Sequence, residues 1–237
     1  MINYAYIPEE LPTSKRKTKQ NYAIVVGIDE YEDRMSLHTC ANDAKSVADL
    51  MSALGYNVIL LSDQTKEKPT KRNILDVALK DIKHELDLGN VIFYFSGHGT
   101  RAYDDTFYLI PQDANGSTSS YISEYEIKQQ IKDIKNLAVI IDACDSEGLS
   151  PAIGKGQLII ASSKDNEPSN EEWTGSLSVF TSNLIKAIKE ESIKSQKILL
   201  QKCFYNAYND TIKWSHGRFV SQTPVLTDLT GGKYYIN

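Results

Sequence analysis

The chain has 237 residues, 41% of them hydrophobic, and a formal net charge of -5. That length suits one large α/β domain, and the acidic balance excludes nucleic acid or an anionic membrane as the main partner, since both reward a basic face. Cys40, Cys144 and Cys203 form neither a CxxC pair nor an even disulfide framework, and no apolar leader or bilayer-length apolar run is visible, so a reduced, cytoplasmic protein is expected.

Residues 1-20 contain the cluster Ser14-Lys15-Arg16-Lys17-Thr18-Lys19 without apolar period and read as a solvated basic arm, with 21-237 as a single domain. Tyr22 to Ile28 is a continuous, β-branched run, the pattern of a central parallel strand buried on both faces. Asn42-Asp43 is the expected opening of a helix in which Ala44, Val47, Ala48, Met51 and Leu54 recur at helical spacing, stopped by Gly55. A strand over Val58 to Leu61 follows, then a helix from Thr70 carrying Ile74, Val77, Ala78, Ile82 and Leu86, then the strand Val91 to Phe95. This is a βαβαβ order. The polar span 100–120, with its apolar insert Phe107 to Ile110, predicts a hairpin or covering loop. A helix over 124–134, a strand over 137–141 and another over 158–161 come next, and the polar stretch 162–176 is too long for a mere connector and is expected to border a substrate. Two helical patterns, 179–188 and 198–212, precede a late strand at Pro224 to Leu226.

Two of these strands end in chemistry. Ser96-Gly97-His98-Gly99 closes one, and Asp142-Ala143-Cys144-Asp145-Ser146 closes the other. Open α/β sheets place their ligands at the carboxyl ends of strands, so a histidine and a cysteine delivered there point to a Cys-His nucleophilic enzyme. Taken singly, Cys144 reads as a packed thiol and His98 as a turn residue; their shared placement reverses that. Cys203 lies among Leu199, Leu200, Phe204 and Tyr208 on a helical pattern and reads as core. In the enzyme reading Cys144 attacks and His98 serves as general base and acid, with the imidazole and nearby peptide dipoles raising the thiolate fraction. No third member of a triad stands out. Asp142 lies two residues before Cys144, so strand alternation sends both to one side, and a carboxylate beside the nucleophile selects a cation. As a structural alternative, Asp142 accepts neighbouring amides and steadies a loop.

On these segments the chain resembles the caspase-like cysteine peptidases, and metacaspases and their bacterial relatives more than animal caspases. The histidine precedes the cysteine by 46 residues, against roughly 50 in caspases, whereas the glutamine and glycine that flank the caspase nucleophile are replaced here by Asp142 and by Asp145-Ser146. The similarity covers about Asn21 to the end. It implies a caspase-like α/β sandwich, with a central, mostly parallel six-stranded sheet flanked by helices on both faces. It implies an oxyanion hole from the amides of Gly99 and Cys144, and a pocket for the residue before the scissile bond built from Cys40, Asp43, Ser96 and Asp142. Asp43 is also the natural N-cap of its own helix. The expected activity is cleavage of proteins or peptides after Arg or Lys, in a regulated pathway of the kind such relatives serve in cell death, stress or microbial defence, with a separate sensor or activator protein as a further partner. Glu167, Glu171, Glu172 and Trp173 are candidates for further subsites. Several metacaspases require calcium; Asp104, Asp105, Asp113, Glu124 and Glu126 offer oxygen ligands, but the family positions are only partly filled, with Pro151 where an aspartate is expected. No metal site or cofactor is therefore expected. Self-cleavage would fall at Lys15-Arg16-Lys17 or at Lys155-Gly156. The competing readings are a catalytically silent caspase fold used as an interaction module, and an aspartate-directed caspase, disfavoured because no arginine flanks the pocket segments.

Overall fold

The computed structural model describes residues 19–32, 34–83, 88–171 and 176–237. Most of the basic arm, together with Glu172 and Trp173, lies outside them. The main sheet has six strands in the order β2 (Asn57–Ser62), β1 (Gln20–Gly27), β3 (Leu88–Ser96), β7 (Leu137–Asp142), β8 (Gln157–Ala161) and β9 (Val225–Asp228). All neighbours are parallel except β8 and β9, which run antiparallel at one edge.

Alternation within each strand feeds two cores. Ala23, Val25, Ile92, Tyr94, Ala138 and Ile140 face one side, where α1 (Cys40–Ala53), α4 (Val179–Lys194) and α5 (Leu200–His216) cover them. Ile24, Val26, Phe93, Phe95, Val139 and Ile141 face the other, covered by the π-wound segment Asn73–Leu79 running into α2 (Lys80–Lys83), and by α3 (Glu124–Ile131). Burial of both faces explains why these strands read as unbroken apolar runs. The span after β3 forms a three-stranded antiparallel sheet, β4 (Gly99–Arg101), β5 (Phe107–Leu109) and β6 (Ile122–Ser123).

Helix α1 begins at Cys40, before the expected Asn42-Asp43. The cause is Asp29, past the end of β1: its carboxylate accepts the amides of Cys40 (2.8 Å) and Ala41 (3.2 Å), supplying the cap from outside the helix. The chain moves from β1 outward to β2 and then returns to β3 on the other side of β1, so the switch point lies between β1 and β3. The crevice at the carboxyl ends of these strands is where such a sheet binds ligands.

Candidate active site

Cys144, His98, Gly97, Ala143, Asp142, Cys40, Leu37, Ser169, Glu171 and Ser178 line one narrow cavity of about 90 Å³ at this crevice. The glycines around His98 each permit a specific approach. A Cβ on Gly97 would stand 2.6 Å from the Tyr31 hydroxyl, and one on Gly99 would stand 2.6 Å from the Cys144 carbonyl oxygen. Tyr31 uses that room: its hydroxyl accepts the His98 amide at 2.8 Å, and its ring packs tilted against the imidazole with centroids 4.7 Å apart. The imidazole Nε2 lies 2.8 Å from the backbone carbonyl of Met35. A carbonyl only accepts, so Nε2 carries a proton. Met35 thus supplies the orienting group for which no side chain stood out in the sequence.

Cys144 sits in the turn after β7, followed by Asp145 in the left-handed region at φ 56°, which aspartate tolerates better than most residues. Asp145 holds this turn to the next strand's loop by accepting the Asn166 amide (2.8 Å) and donating its own to the Glu167 carbonyl (3.2 Å). Burial pushes the thiol pKa up, the charges of Asp145 and Asp142 push the same way, and the amides of Ser169 and of Cys144 itself oppose them. The resting sulfur is therefore a thiol at neutral pH. Burial beside two carboxylates thus favours the neutral thiol against the peptide dipoles.

The acids beneath the sulfur come together as the alternation requires. Asp142 is buried and lines the cavity. One of its oxygens accepts the Ser169 hydroxyl; the other accepts the hydroxyl (2.6 Å) and amide (3.2 Å) of Thr181. Asp43 and Ser96 lie one layer below the cavity wall, both fully buried. Asp43 accepts the Ser96 hydroxyl (2.9 Å) and the Ser178 amide (2.8 Å), and its carboxyl shares a hydrogen bond with the Ser178 hydroxyl at 2.5 Å. It does not cap its own helix; its amide already donates to Thr39 O at 2.8 Å. Asp43 and Asp142 instead both meet the amino end of α4, whose positive end favours negative charge. The capping role raised for Asp43 is thus not realised at its own helix, whereas Asp142 accepts an amide, that of Thr181 in the first turn of α4. Burial raises the Asp43 pKa to about 8, with the Asp142 charge adding to it and hydrogen bonds from Ser178 and Ser96 opposing. Asp142 is raised too, by burial, against hydrogen bonds from Ser169, Thr181 and Ser162. Cys40 lies over these acids with its thiol pushed well up, chiefly by burial.

Glu171 joins the site from the far segment: its Oε1 accepts the amides of His38 (3.0 Å) and Thr39 (3.1 Å) and the Thr39 hydroxyl (3.0 Å). Glu167 is structural, accepting the amide and hydroxyl of Thr223. Gln222, buried, clamps the segment by accepting from Asn170 and donating to Ser169 Oγ (3.2 Å) and the Ser162 carbonyl (3.3 Å). Tyr31, Asp29, Ser169, Ser178, Thr181 and Gln222 were not singled out in the sequence. The strand-end rule that found His98 and Cys144 points equally to Asp29 and Tyr31, just past β1.

Two of the oxygen ligands considered for calcium, Asp113 and Glu126, are used otherwise. Lys71 Nζ donates to Tyr121 O (2.6 Å) and Ser119 O (3.1 Å) and pairs with Glu126 Oε1 (2.8 Å), while the Lys71 amide donates to Asp113 Oδ1 (2.8 Å). Glu126 also closes the capping box of α3 with Ser123. The residues present do not fit a calcium ion at Asp113 and Glu126. The Lys155-Gly156 bond is held in a tight turn, with Gly156 at φ 86° and its amide bonded to Leu229 O at 2.8 Å.

A caspase-type sheet with a cysteine and a histidine over one cavity defines a class, and comparison with known proteins agrees. A family model for the caspase domain of peptidases matches residues 20–230, and the chain belongs to this family of cysteine peptidases. It is 28% identical over 148 residues to metacaspase-9 of Arabidopsis thaliana, covering 55% of this chain and 45% of that one. With metacaspase-7 of the same plant it shares 25% over 182 residues, covering 70% and 44%; with metacaspase-1 of Plasmodium falciparum, 27% over 149 residues, covering 54% and 24%. The chain therefore spans less than half the length of these relatives. The crystal structure of a Geobacter sulfurreducens protein superposes with a TM-score of 0.64 at 15% identity, over 90% of this chain and 97% of that one, which shows a shared fold. Among the described residues no helix is long and apolar enough to cross a membrane.

Proposed function

We propose that the chain is an endopeptidase that cleaves proteins or peptides after Arg or Lys by a Cys144-His98 dyad. One observation carries the reading: Asp142 lines the cavity it shares with Cys144 and His98, and among the described residues every hydrogen bond its carboxylate accepts comes from a hydroxyl or an amide. A buried carboxylate held without a cation is costly and is relieved when the substrate brings one. An aspartyl side chain would meet like charge.

In this mechanism His98, aligned by Met35 and Tyr31, takes the thiol proton as the sulfur attacks the scissile carbonyl. The amides of Gly99 and Cys144 receive the oxyanion, a contribution of about 10² to 10³ in rate per donor. The imidazolium then protonates the leaving amine, and water releases the acyl group from sulfur. We further propose that no metal is needed, because the Lys71 ammonium already satisfies Glu126 and two carbonyls. Three free thiols fit a cytoplasmic setting.

Fluorogenic peptides ending in Arg, Lys or Asp before the leaving group test this, with Cys144→Ala as control. The expected result is cleavage after Arg and Lys alone, abolished in the variant and unchanged by a calcium chelator. Cleavage after Asp alone overturns the pocket assignment, and no cleavage under any condition, added calcium included, favours the silent-scaffold alternative.

A further inference from the structure

The protons around the two buried acids can be counted from the hydrogen bonds. Around Asp142, Ser169 donates to the carboxylate, Ser162 to Ser169 (2.9 Å), Thr181 to the carboxylate (2.6 Å), and Tyr94 meets Thr181 (2.6 Å). Each of these four contacts finds a hydroxyl proton without one on Asp142, whose carboxyl Ser162 also approaches. Around Asp43 the count does not close. Ser96 and Ser178 both meet Asp43, Ser178 meets Thr39 (2.9 Å), and Thr39 meets Glu171 (3.0 Å): four oxygen–oxygen contacts with three hydroxyl protons. With both carboxyls ionised, one contact would set lone pair against lone pair. One further proton therefore resides on a carboxyl at an end of this chain. Glu171 Oε1 already accepts two amides besides the Thr39 hydroxyl, the environment of an ionised acid. The proton belongs on Asp43, which donates through Ser178 and Thr39 toward Glu171.

We infer that the empty pocket stores one proton on Asp43, that entry of a substrate cation expels it along Ser178, Thr39 and Glu171 to solvent, and that these residues thereby determine the preference for a positively charged side chain. The inference rests on the proposed Arg/Lys specificity and deepens it. In the exchange an O–H bond of the Asp43 carboxyl breaks, the carboxylate keeps the electron pair, and the proton leaves to water from Glu171, which is half-buried and lines the cavity. The groups facing Asp43 are consistent with this. Asp142 on β7, Tyr94 on β3, and Cys40 on α1 with Asp29 beside it are neutral or negative, and α4 offers amides. The Asp43 pKa near 8 agrees with a stored proton at neutral pH. A positive charge within about 5 Å of such a carboxyl, at an effective dielectric of about 20, suffices to bring it below neutrality.

Calorimetry on the Cys144→Ala protein, titrated with a peptide carrying Arg at the cleavage position in buffers of different ionisation enthalpy, reads the protons exchanged. Close to one proton released per site at pH 7 is expected, with Kd falling by up to about tenfold per pH unit below pH 8 and levelling above it. Adding Asp43→Asn, whose amide reproduces the donor to Ser178, removes the release and flattens the Kd profile while His98 remains, which separates this proton from any on the imidazole. Should that variant fail to fold, infrared difference spectra of free and bound Cys144→Ala protein show the protonated-carboxyl band lost on binding. Binding of the Arg peptide without proton release and without loss of that band overturns the inference and leaves the specificity standing. Failure of Arg and Lys peptides to bind, while neutral ones do, overturns both.

Discussion

Asp142 with Asp43 below the cavity, and Glu126 with Asp113 beside α3, are both groups of carboxylates packed near strand ends, yet among the described residues only the second holds a cation of the chain's own. Lys71 reaches Glu126 at 2.8 Å and gives its amide to Asp113; the same pattern recurs where Arg101 pairs with Asp165 (2.5 Å). Under the cavity, hydroxyls and the amino end of α4 take that place. Acids that carry their own counter-ion complete a surface. Acids satisfied only by neutral donors leave net charge for something that arrives. A search for recognition sites among acidic clusters should therefore weigh the donors and not the number of carboxylates.

The largest effect that would break this comparison is expected at Asp142. Asp142→Asn keeps the shape and the acceptor for Thr181 but removes the charge facing the substrate, so kcat/KM on Arg peptides should fall by about 10² to 10³, the usual result of unpairing a buried charge. Peptides with a neutral residue at that position should change far less. Equal losses on both would make Asp142 a structural acid like Asp165.

A smaller effect separates the acids by pH. Asp43 holds its proton to about pH 8 in the folded protein, while an unfolded carboxyl releases it near pH 4. Between those values the folded state binds the extra proton, so each rise in pH favours unfolding; above 8 the contribution is spent. From pH 6 to 8 this amounts to roughly 2 kcal/mol, or about 5 °C in Tm for a chain of this size. Thermal melts of the substrate-free protein should show Asp43→Asn gaining on wild type by that margin across this window. Parallel profiles would remove the stored proton.

How much of this was legible follows from where each group comes from. The strands and both motif ends were readable because a doubly buried sheet forces continuous apolar runs, and alternation placed Asp142 beside Cys144 without any structure. The caps were not readable. Asp29 begins α1 from 11 residues upstream of Cys40, and Asp43 meets α4 at Ser178, 135 residues away; local patterns contain neither. One partner of His98 is a main-chain carbonyl, and every residue carries one, so no side-chain pattern marks Met35. The start of α1 was misplaced for the same reason: Asn42 and Asp43 have capping chemistry, but the helix takes its cap from another element.

The least effect is expected at the cluster that owns its cation, and it sharpens the contrast. Lys71→Met removes an ion pair whose partners are partly exposed, which limits its worth to about 0.5–1 kcal/mol, and it leaves two carbonyls to be met by water. Activity on Arg peptides should stay within about twofold, and a calcium chelator should change neither variant nor wild type. If Lys71→Met instead became calcium-activated, the ammonium would be revealed as a built-in substitute for the ion, holding Glu126 and Asp113 in an arrangement that the cavity above β3 and β7 depends on. Indifference to both changes would confine the chemistry to the acids that have no cation of their own.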